Sequence, residues 1–200
     1  YVVGTVMARI LYSLILYLLS PLIIFYLYVL RGKKNGGYRH HFAERFGFLA
    51  TKKQDIVIHC ASVGEVLAAT PLIKAIKQHN PNLSILVTCN TPTGHEQIKN
   101  NFQDSVNCCY LPIDFPDATH RFLKRVKPQV LCILETELWP NLMAQSNKRG
   151  IKVLILNARL SVKSQQGYQK VMPLTKVIMN SISALASHNQ DDANRFIELG

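Results

Sequence analysis

The chain has 200 residues and carries 23 Lys and Arg against 12 Asp and Glu, a formal net charge of +11. That length holds one sizeable domain but not comfortably two. The charge suits anionic lipid or phosphorylated substrates; aromatic residues are not interleaved with the basic ones as a single-strand binder needs, so no nucleic-acid partner is expected. The 5 Cys are odd in number, lack a Cys-x-x-Cys pair and sit mostly in apolar runs, which reads as small buried hydrophobes rather than a disulfide framework or zinc site. The 7 His show no ligand spacing, so no metal site is expected. The chain begins without Met and stops at Leu199-Gly200, where a helix would be capped, so it is expected to be a piece of a longer one.

From Ile10 to Leu30 there is no charge. Such a run can cross a bilayer, whose core takes about 20 apolar residues. It fits a cleaved signal peptide poorly, being too long and lacking a small-x-small site. Pro21 leaves a spanning helix, a re-entrant segment and an interfacial one all open. Tyr12, Tyr17, Tyr26 and Tyr28 suit headgroup-level positions. Arg31, Lys33, Lys34, Arg39 and Arg45 follow, with His40 and His41 between. By the positive-inside rule this flank is cytoplasmic, and Arg9 on the other side weakens that asymmetry without reversing it. The same cluster can serve as a topology signal alone or hold lipid phosphates. Gly36-Gly37 reads as a hinge. The expected divisions are a membrane anchor at 1–31, a basic juxtamembrane segment at 32–54 and a globular domain at 55–200.

Beyond Asp55, apolar runs alternate with helical patterns. Strands are expected at 56–61, 84–89, 106–111, 130–135, 152–156 and 184–186, and helices at 65–78, 94–102, 117–126, 140–148, 167–180 and 191–199. In the first of these helices Val66, Ala69, Ile73 and Ile76 share a face, while Lys74 and Lys77 point elsewhere. Short, branched, nearly continuous apolar strands imply burial on both faces of a parallel sheet. Strict βαβ alternation then gives an α/β fold, a Rossmann-like doubly wound sheet.

Chemistry gathers at the strand ends, the edge where open α/β sheets bind ligands. After the first strand, Gly64 marks a sharp turn and Glu65 falls in the first helical turn. An acid there can do chemistry, or can simply favour the positive end of the helix. Asn90-Thr91-Pro92-Thr93-Gly94 after the second strand can offer N–H groups to an anion or act as an ordinary cap. The fourth strand ends in Glu135-Thr136-Glu137-Leu138-Trp139-Pro140-Asn141, with two carboxylates and the only Trp; buried carboxylates need a partner or a role. Asn157-Ala158-Arg159-Leu160-Ser161 supplies a candidate cation, so Glu65, Glu135, Glu137 and Arg159 can converge on one crevice. No Gly-x-Gly-x-x-Gly, Walker loop or Gly-x-Ser-x-Gly elbow is present. Ser62 and His59, three residues apart, face opposite ways and do not form a nucleophile pair.

Taken in order, Glu44-Arg45-Phe46-Gly47, Ser62-Val63-Gly64-Glu65, Thr91-Pro92-Thr93-Gly94, Tyr110-Leu111-Pro112 with Asp114, the Glu135–Asn141 run and Asn157-Ala158-Arg159-Leu160-Ser161 resemble the amino-terminal half of the 3-deoxy-D-manno-octulosonic acid (Kdo) transferases of lipopolysaccharide synthesis. The resemblance extends from the anchor to the last residue, and Glu-Thr-Glu-Leu-Trp-Pro-Asn is its most specific element. It implies the acceptor-side domain of a two-domain GT-B glycosyltransferase on the cytoplasmic face of the inner membrane. Such an enzyme moves Kdo from CMP-Kdo to the lipid A precursor, a tetraacylated, bisphosphorylated glucosamine disaccharide. The CMP-sugar site would lie in a carboxyl-terminal domain beyond this chain, leaving the fragment alone inactive. The resemblance makes Glu65 the general base and Glu135 the transition-state stabiliser. Arg45, Thr93, Glu137 and Arg159 would hold the acceptor or shape the crevice, with no metal or cofactor. Two other readings stay open: another membrane-associated GT-B enzyme on a lipid-linked sugar, or a non-catalytic membrane-tethered binding module.

Overall fold

The computed structural model describes residues 2–200, with side chains from Gly4 onward. Six parallel strands, β1 (Ile56–His59), β2 (Ile85–Cys89), β3 (Asn107–Tyr110), β4 (Val130–Leu134), β5 (Lys152–Ala158) and β6 (Ala184–Ser187), form one sheet in the order β3-β2-β1-β4-β5-β6. Successive side chains alternate faces, and both faces are covered. Val57, Leu86, Leu131 and Val153 pack with Phe122, Leu142 and Met143 on one side; Ile58, Val87 and Cys132 pack with Val66, Ile73 and Ile98 on the other. Helices α2 (Val63–His79) and α3 (Pro92–Phe102) cover the second face. Helices α4 (Pro116–Val126), α5 (Pro140–Lys148), α7 (Met172–Met179) and α8 (Gln190–Leu199) cover the first. The winding direction reverses between β1 and β4, and the carboxyl ends of those two strands flank the switch point where such sheets bind ligands.

Two element boundaries differ from expectation for reasons of proline chemistry. The single helix expected at 167–180 is two, α6 (Val162–Lys170) and α7, broken at Val171. Pro173 has no N–H to continue the ladder, so it is tolerated only in the first turn of a new helix. By the same rule α3 starts at Pro92, two residues early, behind Thr91, whose Oγ1 accepts the Gly94 N–H at 3.1 Å.

The amino-terminal helix α1 (Val2–Ile24) continues through a π-helical stretch, Phe25–Arg31, to Lys34. From Gly4 to Lys34 it is long and apolar enough to cross a membrane. Pro21 leaves the Tyr17 carbonyl without its usual donor, and the Ser20 hydroxyl takes that place at 2.7 Å. Between positions 5 and 27 the residues that are at least half-buried are Thr5, Ala8, Arg9, Tyr12, Ser13, Leu16, Ser20, Ile23 and Leu27. That is one helical stripe, so α1 lies along the domain over its whole length. The Asn141 amide donates to Ser13 Oγ (3.1 Å), the Tyr17 hydroxyl donates to Asp117 (2.5 Å), and the Tyr17 ring stacks on Phe115 at 5.0 Å. Met7, Leu11, Leu14, Leu18 and Leu22 point away and are exposed.

The segment at 32–54 is built into the sheet edge. The Tyr110 N–H donates to Glu44 Oε2 (2.9 Å) and the Ile113 N–H to the Arg45 carbonyl (2.8 Å). Of the Gly36-Gly37 pair expected as a hinge, Gly36 has open space beside it but Gly37 is packed: a Cβ on Gly37 would lie 2.7 Å from the Pro92 Cβ. That close approach is why only glycine fits.

Candidate active site

Glu65 sits at the third position of α2, behind the N-cap Ser62. Ser-x-x-Glu is a capping box, in which the acid reaches back over the helix start. Here the Ala61 N–H donates to Glu65 Oε2 (2.8 Å), the Ser62 hydroxyl donates to Oε1 (2.9 Å), and the Glu65 N–H returns a 3.4 Å bond to Ser62 Oγ. Glu65 is 7% exposed, its carboxylate oriented by these bonds, with a lone pair free on each oxygen. Burial pushes its pKa above the usual glutamate value and the charge of Glu135 adds to the rise, against the opposing Ala61 and Ser62 bonds and His59. A helix start alone would weaken Glu65 as a base, and burial acts in the opposite direction.

Glu135 follows β4 with φ of 57°, and Asn157 near the end of β5 has φ of 54°. Left-handed backbone at non-glycine residues costs about 1–3 kcal/mol and collects at functional edges. The turn is held by the Glu135 N–H to the Leu156 carbonyl (2.9 Å) and by Thr136, whose hydroxyl donates to the Arg159 carbonyl and accepts the Arg159 N–H. Arg159 thus serves this edge through its backbone. Its guanidinium is exposed and forms no ion pair with an acid among the described residues, so the expected cation is not delivered to the carboxylates.

Glu137 takes a different set of partners. Its Oε2 accepts the Asn90 side-chain amide at 3.4 Å and lies 4.0 Å from His59 Nε2. His59 is wholly buried, bonded through Nδ1 to Thr88 Oγ1 (3.0 Å), and its Nε2 makes no hydrogen bond among the described residues. His59 and Asn90 were missed as site residues in the sequence, because only the pairing of β1 with β2 sets His59 beside Thr88. Thr93 is exposed in the first turn of α3, with its hydroxyl donating to Thr91 Oγ1 (3.3 Å).

Arg45 is 3% exposed. Its guanidinium lies 4.1 Å from the Tyr110 ring centre and donates from Nη2 to the Asn90 carbonyl at 3.1 Å. Asn90 therefore links Arg45 to Glu137. Behind the Glu135–Trp139 loop, Asp114 anchors α5: because Pro140 has no N–H, the next two, of Asn141 and Leu142, each donate to one Asp114 oxygen at 2.8 Å. Among the described residues no group of three His, Cys, Asp or Glu is arranged to hold a metal ion.

A six-stranded parallel sheet of this order, with acids gathered outside β1 and β4, has the architecture of a Rossmann-like domain of a GT-B glycosyltransferase. The family model described as 3-Deoxy-D-manno-octulosonic-acid transferase (kdotransferase) matches residues 40–200. A 3-deoxy-D-manno-octulosonic acid transferase of Haemophilus influenzae is 42% identical over 97% of this chain and 46% of its own length. A probable mitochondrial 3-deoxy-D-manno-octulosonic acid transferase of Arabidopsis thaliana is 34% identical over 88% of this chain and 40% of its own. A Bordetella pertussis 3-deoxy-D-manno-octulosonic acid transferase is 29% identical over 97% and 47%. The chain belongs to the Kdo transferase family. It spans about half the length of the curated relatives it matches.

Proposed function

We propose that this chain is the acceptor-side half of an inverting glycosyltransferase that moves Kdo from CMP-Kdo to the lipid A precursor. The observation that carries the mechanism is Glu65, a buried, oriented carboxylate at the sheet's switch point with its pKa raised by burial. Inversion requires a base on the face opposite the departing CMP. Glu65 removes the proton from the acceptor hydroxyl as its oxygen attacks the anomeric carbon, and CMP leaves as a phosphate ester anion that needs no strong acid. Glu135 faces the positive charge that develops on the sugar. Glu137, tied to Asn90 and His59, shapes the same edge, and Arg45 lies one residue further on. Thr93 and Arg159, both exposed at the rim, are free to meet the acceptor's outer groups. The test is the product: the complete protein with CMP-Kdo and lipid A precursor should give a Kdo-bearing lipid with inverted anomeric configuration. CMP release without a glycosylated lipid contradicts the proposal.

We also infer that α1 holds the protein on the cytoplasmic face of the inner membrane by lying in the interface rather than crossing it. Its stripe of domain contacts runs from Thr5 to Leu27, about 33 Å at 1.5 Å per residue, leaving no free span of 20 residues. A crossing would draw Asp117, bonded to Tyr17, toward hydrocarbon, at a cost of about 3 kcal/mol or more. The outward row of Leu and Met then meets the acyl boundary, flanked by Lys33, Lys34 and Arg39. A cysteine replacing Gly4 should react with a membrane-impermeant maleimide from the cytoplasmic side; labelling only from the opposite side would show a spanning helix.

A further inference from the structure

His59 ends β1 at the switch point, and its partners in register are Thr88 on β2 and Ile133 on β4. Two residues earlier on the same face, Val57 belongs to an apolar layer, so an imidazole wholly buried beside it needs polar partners. Its Nδ1 lies 3.0 Å from Thr88 Oγ1. Its Nε2 lies 4.0 Å from Glu137 Oε2 and makes no hydrogen bond among the described residues. These neighbours decide where the ring proton sits. Thr88 is also wholly buried, and among the described residues its hydroxyl bonds to His59 alone. A buried hydroxyl proton without an acceptor is costly, so Thr88 donates to Nδ1. Nδ1 is then the acceptor, and Nε2 carries the hydrogen toward a carboxylate. The opposite tautomer orphans the Thr88 proton and turns the Nε2 lone pair toward the Glu137 charge. A doubly protonated ring orphans the same proton. Glu65 faces His59 from α2, and a positive ring there lowers the Glu65 pKa, so the neutral form also preserves the base.

We propose that His59 is a positioning residue for sugar transfer: its Nε2–H, fixed by Thr88, holds Oε2 of Glu137 toward the sheet and leaves Oε1 to accept a hydroxyl of the bound substrate. The Asn90 amide donates to the same Oε2 at 3.4 Å, so both holding groups act on one oxygen. The Glu137 side chain is 32% exposed, enough for a substrate to reach the other. Thr88, His59 and Glu137 thus form a relay across the carboxyl ends of β2, β1 and β4, and a group held from behind in this way meets its ligand already oriented. The inference rests on the reading of this protein as a glycosyltransferase and deepens it, since it names what aims the second carboxylate of the Glu135–Trp139 loop.

Nitrogen NMR of the complete protein, labelled at histidine alone, reads the tautomer without any assay of transfer. The His59 signals, identified by their loss in His59→Gln, should show a protonated Nε2 and an unprotonated Nδ1 near neutral pH. The Nε2 resonance should move in Glu137→Ala. In the transfer assay His59→Leu should lower kcat/KM about 10–100-fold, the scale on which a misplaced group costs rate. His59→Gln, whose side-chain amide can donate where Nε2 does, should recover most of that loss. Glu137→Ala should cost as much as His59→Leu, and the double variant no more than either alone, because one residue acts through the other. Thr88→Val keeps the ring and the carboxylate but removes the hydroxyl that selects the tautomer. It should mix the two tautomers and lower kcat/KM in the same direction, so a folding failure of His59→Leu leaves the test intact. A His59 that only fills the sheet would instead give a lowered melting temperature and losses that add to those of Glu137→Ala. Additive losses, a ring protonated at Nδ1, or an Nε2 resonance indifferent to Glu137→Ala would overturn the assignment. Absence of Kdo transfer by the parent would count against the transferase reading, and the nitrogen spectrum would still decide the tautomer and its dependence on Glu137.

Discussion

Replacing Glu65 by Gln in the complete protein should lower the rate of Kdo transfer by about 10²–10⁴-fold, the range general base catalysis supplies. The amide keeps the size and shape of the acid but holds no proton-accepting carboxylate. Gln also serves in a capping box, so the bonds from the Ala61 N–H and the Ser62 hydroxyl have a carbonyl oxygen to meet, and α2 should start where it does now. Thermal unfolding and acceptor affinity should therefore stay near those of the parent. That split separates chemistry from folding, which Glu65→Ala would not do, since it removes the cap as well, at about 1 kcal/mol.

Asp114→Asn should be the most damaging change for the fold of the site. Asp114 is 2% exposed and each of its carboxylate oxygens accepts one N–H of α5 at 2.8 Å. Asn offers a single acceptor atom and turns an NH₂ toward the other buried N–H. Asn keeps one of the two bonds, so the loss is that of one buried N–H left without its acceptor, about 1–3 kcal/mol. For a domain of this size that lowers the melting temperature by about 2–12 °C. Because α5 begins directly after the Glu135–Trp139 run, transfer should fall at temperatures where the fold still holds. Unchanged melting would mean that α5 is held by its apolar face against Phe122 and Leu123 alone.

The sheet was largely legible because parallel strands buried on two faces leave continuous apolar runs, and each run here is a strand. The first helix's face of Val66, Ala69 and Ile73 is buried as the spacing required. The split at Val171 was hidden because the helical period runs unbroken through Pro173, and periodicity carries no information about a missing N–H. At the site, Glu65 was visible because Gly64 marks the strand-to-helix turn beside it and Ser62-Val63-Gly64-Glu65 is a contiguous run. The pairings of Glu137 with Asn90 and His59 were not, since they join residues on different strands through sheet register. Arg45 stands out in the sequence by resemblance alone, since a place in a run of basic residues reads equally well as a topology signal. Only tertiary packing shows it stacked on Tyr110, 65 positions away in the chain. Arg159 is the opposite case, a cation expected at the acids that supplies its backbone instead.

The most direct test of Glu65 as the base is the pH dependence of kcat/KM for Kdo transfer by the complete protein. A base must be ionised to act, so the rate should rise with pH through one ionisation and then level off. Burial holds the Glu65 carboxyl above the ordinary glutamate value of about 4.3, so that rise should be centred above it and should vanish from the residual activity of Glu65→Gln. A profile already flat above pH 4.3, or the same rise surviving in Glu65→Gln, would contradict the assignment.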